Sequence, residues 1–112
     1  MALDLDLVTS LEPDALGERL AAWRESFAGA ELPRNSRILQ ASGADYRFLD
    51  EAGAKYEGPL RSSVSFQINK FDMQPDFDAL RSLRLTLINE GHEVISLLNS
   101  ETLFFETEDR YP

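Results

Sequence analysis

Leu3-Asp4-Leu5-Asp6-Leu7 alternates strictly between apolar and acidic residues. A period of two is that of a strand with one buried and one wet face, so the leucines are predicted inward and the aspartates outward. Past Ser10 the period lengthens. Leu16, Leu20, Trp23 and Phe27 recur at helical spacing and form one apolar stripe. Ser10 or Glu12 opens this helix, with Pro13 in its first turn and Gly29 at its end. Glu12, Asp14 and Glu18 suit the positive end of its dipole. Residues 30–35, with Pro33, read as a loop. Short strands are predicted at 37–41 and 46–49, and near Lys55-Tyr56. Ser42-Gly43 and residues 50–53 form the turns between them, and Gly58-Pro59 breaks the ladder.

A second strand–helix–strand series follows. Val64, Phe66 and Ile68 alternate with Ser65, Gln67 and Asn69, until the alternation slips at Lys70-Phe71, which marks a bulge or a strand end. Phe77, Leu80, Leu83, Leu87 and Ile88 give a second helix its apolar face, and Gly91 caps it. Residues 94–98 are apolar at all positions but Ser96, the mark of a strand buried on both faces. Asn99-Ser100 turns the chain into Leu103-Phe104-Phe105, whose two aromatics would point to opposite sheet faces. The polar residues 106–112 are expected to fray.

Residues 3–51 and 64–107 thus carry the same order of elements. Pro13-Asp14 matches Pro75-Asp76, Gly29 matches Gly91, and Phe48 matches Phe104. Two explanations stand: a duplicated βαββ unit, or two helices that each start near proline and stop at glycine because helices commonly do. The apolar faces disagree with the proline register, since Leu16 then falls on Asp78. Under either explanation the expected fold class is α+β. It is a two-layer sandwich of two helices on one face of an antiparallel or mixed sheet of six to seven strands. At 112 residues the chain reads as a single domain.

Charge narrows the function classes. Twenty acidic against eleven basic residues give a net charge of −9, which repels nucleic-acid phosphates and favours a basic protein partner. The acids thicken towards Glu101, Glu106, Glu108 and Asp109. No apolar run is long enough for a membrane span. Met1 leads into an acidic strand rather than a basic and apolar leader, so a cytoplasmic location is expected. The chain has no cysteine, which removes disulfides, thiolate chemistry and cysteine zinc sites.

Candidate chemistry is sparse. His92, the single histidine, follows Gly91 and reads as a capping or strand-start residue rather than a general base, because no second catalytic group is identifiable beside it. Asp4 and Asp6 share a strand face and could hold a hard cation, but a solvated strand side has the same pattern. Asp72, Asp76 and Asp78 suit a helix N-terminus. Ser62, Ser63 and Ser65 accompany no His–acid pair that the sequence reveals. No nucleophile elbow, phosphate loop or dinucleotide fingerprint is present. The expectation is a non-enzymatic protein without cofactor or metal.

Trp23, Tyr46, Phe48, Tyr56, Phe66 and Phe71 are expected mostly in the core. Phe104 or Phe105 is the expected exposed aromatic, beside the carboxylates of Glu101, Glu106, Glu108 and Asp109. In size and charge the chain resembles bacterial immunity proteins against nuclease toxins and phage anti-defence proteins. That resemblance implies an inhibitor that occludes a basic surface on its partner, with a homodimer left open. Two alternatives rest on topology. The paired βαββ modules resemble the vicinal-oxygen-chelate and GyrI-like groups, which implies a small ligand between the halves, although the metal-binding His/Glu pattern is not recognisable here. Residues 61–110 resemble the C-terminal half of phage tail-terminator proteins, which implies a ring component.

Overall fold

The computed structural model describes residues 3–27, 31–41, 59–99 and 102–105. The expected strands at 46–49 and 55–56, the turns before each of them, Gly29 and Gly58 lie outside these residues. So does the tail from residue 106. The described elements are β1 (Leu3–Thr9), α1 (Pro13–Ser26), β2 (Arg34–Asn35), β3 (Leu39–Gln40), β4 (Ser62–Ile68), α2 (Met73–Asn89), β5 (Val94–Leu98) and β6 (Thr102–Leu103).

Six strands form one antiparallel sheet with two helices against it, an α+β sandwich. The order is β2-β4-β1-β5-β6, with β3 also paired to β4. β1 is central: Leu5 lies opposite Phe66 of β4 and Leu98 of β5. Each helix therefore connects two strands that have another strand between them. β1-α1-β2 straddles β4, and β4-α2-β5 straddles β1, giving two interleaved split βαβ units.

β2 begins inside the segment expected to be loop. It pairs Arg34 with Gln67 and Asn35 with Phe66, whereas β3 pairs Leu39 with Ser63 and Gln40 with Ser62. The register slips between the two pairings, so one edge strand is interrupted by a bulge. Ser36 bridges the interruption. Its amide donates to Ser65 O (2.8 Å), and its Oγ accepts from the Ser65 amide (3.0 Å).

The helices cover the leucine face of β1. Leu5, Leu7, Val64, Phe66, Ile68 and Val94 meet Leu16, Leu20 and Trp23 of α1 and Leu80, Leu83 and Leu87 of α2. Trp23 packs edge-on against Phe66, with centroids 5.8 Å apart. A second cluster of Val8, Leu60, Ile95 and Leu97 occupies the opposite sheet face. β5 is thus buried on both sides, as its apolar run predicts. The expectation of a wet carboxylate face on β1 fails at Asp6, which is only 8% exposed and accepts a hydrogen bond from Ser65 Oγ. Asp6 shares its sheet face with Val8 and the second apolar cluster, and it lies opposite Leu97 of β5 and Ser65 of β4.

The helix ends have separate logic. Glu12 is the N-cap of α1, and Pro13 stands where no backbone donor is needed. In α2, Pro75 sits deeper in the first turn, behind the N-cap Asp72. Burial aligns the helices differently from the prolines: Leu16, Leu20, Trp23 and Phe27 correspond to Asp76, Leu80, Leu83 and Leu87. Gly91 has φ +95°. Its amide bonds to Ile88 O (2.9 Å), and that of His92 to Leu87 O (3.0 Å), the paired bonds of a Schellman cap.

Two stability predictions follow from this packing. Phe66→Ala should cost about 3–5 kcal/mol in urea unfolding followed by Trp23 fluorescence, because the ring has no exposed surface. Gly91→Ala should cost about 1 kcal/mol through backbone strain alone, because a Cβ there meets nothing within 4 Å.

Candidate protein interface

Ser96 of β5 organises the end of the described chain. After Leu103 the backbone leaves the strand. The Phe104 amide donates to Ser96 O (3.1 Å), and the Phe105 amide to Ser96 Oγ (3.0 Å). The strand alternation that would send the two rings to opposite faces is lost at this point. Both instead turn towards α2, with centroids 5.0 Å apart.

Phe105 is wholly buried, and the Arg81 and Arg84 guanidinium carbons lie 5.1 and 5.9 Å from its ring centre. Phe104 stays half-buried, 4.8 Å from Phe77. The reading of Phe105 as an available contact is therefore corrected: it supports Phe104 from beneath. Glu101, Glu106, Glu108 and Asp109 lie outside the described residues.

Phe104 extends an apolar stripe on α2. Met73, Phe77 and Leu85 share this side with Arg81 and Ile88, and Met73, Leu85 and Ile88 are exposed. The i, i+4 recurrence places the stripe beside the core-facing one. The sequence pattern assigned Ile88 to the core face and left Met73 and Leu85 unassigned, because two adjoining apolar stripes merge in a periodicity count.

A second feature runs against the expectation from sequence. Phe71, expected in the core, is 100% exposed. It tips a turn in which its amide donates to Asn69 Oδ1 (3.0 Å) and the Asp72 amide to Asn69 O (3.3 Å). The available signal was the broken alternation at Lys70-Phe71, which is where β4 ends. The turn borders a groove of about 850 Å³ between residues 31–34, the end of β4 and the start of α2.

The remaining candidates have structural roles. Asp76 accepts the Asn69 amide (2.8 Å), and Asp78 accepts from Gln74 Nε2 (2.7 Å). Ser62 Oγ donates to Leu11 O (2.7 Å). His92 supplies its backbone to the cap of α2. Among the described residues no three His, Asp or Glu side chains gather as a metal site. No helix of the described residues is long and apolar enough to cross a membrane. The cleft between α1 and α2 holds about 210 Å³, less than the ~300 Å³ usual for small-ligand pockets.

Phe105→Ala should destabilise the fold by about 3–5 kcal/mol, and Phe104→Ala by about half of that or less, in parallel urea titrations. Equal losses would contradict the different burial of the two rings.

No family model matches the chain, and no curated protein matches it. Its fold is similar to that of a chain of the CdiA-CT/CdiI toxin and immunity complex from Burkholderia pseudomallei, with a TM-score of 0.64 at 17% identity. The likeness covers 91% of this chain and 96% of that one, so it spans the whole fold rather than a shared fragment.

Proposed function

We propose that this protein is a non-enzymatic, immunity-type inhibitor that binds a toxin-like protein and masks a basic surface on it. The observation that carries the reading is the end-to-end likeness of fold to a chain from a toxin and immunity complex. The net charge of −9 supports it independently. An acidic inhibitor is drawn to a cationic active site and repelled by the nucleic acid such a site would process.

The mechanism is occlusion. Phe104, backed by the buried Phe105 and flanked by Phe77, is the apolar anchor. The carboxylates of Glu101, Glu106, Glu108 and Asp109, close to it in sequence, take the place of substrate phosphates against arginine and lysine side chains. The side chains on this surface need only shape and charge. The exposed part of α2 adds apolar area from Met73, Leu85 and Ile88.

Tagged protein should capture one basic protein from the cells of its source, identified by mass spectrometry. High salt should release it, because exposed ion pairs are screened. Reversing Glu101, Glu106, Glu108 and Asp109 to lysine should abolish capture while leaving the thermal midpoint within a few degrees. Capture of no protein, or retention by the reversed variant, would count against the reading.

A further inference from the structure

The exposed charges around the groove at the start of α2 are balanced in sign. Five charged residues line it: Asp76 is buried with its carboxylate held by the Asn69 amide, and the four exposed ones, Glu31, Arg34, Lys70 and Asp72, are two of each sign in a chain of twenty acids and eleven bases. None of the four forms an ion pair among the described residues, whereas Arg19, Arg61 and Arg81 are paired with Glu90, Glu12 and Asp78. Beside them stands Phe71 with its ring fully in solvent. The groove also has apolar wall from Leu32, Pro33, Ile68 and Pro75.

Both sides are held in place. The Asn69–Asp72 turn is fixed by its own hydrogen bonds and by Asp76. The opposite wall is tied to α1, where Arg24 donates to Pro33 O (2.9 Å) and to Asn35 Oδ1 (2.6 Å). An exposed aromatic on a pre-ordered turn loses little freedom on insertion into an apolar site.

We infer that this groove is an isologous contact between two copies of the chain. Each copy places Phe71 in the groove of the other. Arg34 and Lys70 of one face Glu31 and Asp72 of the second. A two-fold contact must be complementary to itself, and a patch that carries anchor, receptor and both charge signs meets that condition. A uniformly cationic partner would leave Arg34 and Lys70 facing like charge, so the basic protein proposed above fits this surface poorly. The inference does not rest on that proposal. The repulsion between two chains of charge −9 limits the affinity, so association is expected only at micromolar concentrations or above.

Sedimentation velocity from about 1 to about 500 µM tests the inference. The wild-type chain should pass from monomer to dimer across that range. Phe71→Ser should weaken association at least about 30-fold with an unchanged thermal midpoint, because the ring makes no contact to lose in the monomer. Two charge variants complete the test. Arg34→Glu with Lys70→Glu, and Glu31→Lys with Asp72→Lys, should each be monomeric alone and pair when mixed. A wild-type chain that stays monomeric throughout would overturn the inference and leave the groove to another occupant. A Phe71→Ser chain that dimerises undiminished would overturn it as well, as would charge variants that fail to pair on mixing.

Discussion

The antiparallel pairing of β1 with β4 is the constraint on which the rest of the structure depends. β1 is the first described strand, yet its hydrogen bonds are met by β4 on one side and β5 on the other. Until both have arrived, Leu5 and Leu7 have no complete floor on which to bury. The interleaving of the two βαβ units follows, because each helix must cross over the other unit's central strand to reach its next strand. Such non-local closure is slow relative to helix formation, and the central pair must be in register before either helix gains its full packing.

That pairing also sets where the two surfaces of interest appear. With β4 paired to β1, its end at Ile68 delivers the chain to the start of α2, where the Asn69–Asp72 turn holds Phe71 outward. With β5 beside β1, Ser96 lies in position to take the amides of Phe104 and Phe105 and turn both rings towards α2. One helix therefore carries the proposed self-contact at its start and the proposed partner contact along its side. The buried Phe105 and Ser96 are the scaffold of the second surface, and Phe104 is its exposed tip. The proposed immunity-type binding requires only that the acidic and aromatic groups be held in a fixed arrangement.

The elements with one clean period were legible in the sequence. The leucines of β1, the stripe of α1 and the doubly buried β5 follow from spacing alone, and so does the two-layer α+β architecture. The misreadings have distinct physical causes. The proline register was never a safe guide, since the apolar faces already disagree with it in the sequence; proline is tolerated at several first-turn positions, and burial pairs Leu20 with Leu80. Asp6 looked solvated because alternation reports which side a residue faces, not what covers that side. Phe71 looked buried because hydrophobicity is a property of the residue and exposure a property of the turn that carries it. Phe105 looked available because strand alternation was carried past the point where Ser96 captures the backbone.

On the proposed function, binding by this chain silences its partner. The most direct test is to titrate the captured partner's own activity, enzymatic or cell-killing, with purified protein. Complete loss is expected at one equivalent of chain per partner, with recovery as salt separates the pair. A partner that is bound at one equivalent and remains fully active would contradict it.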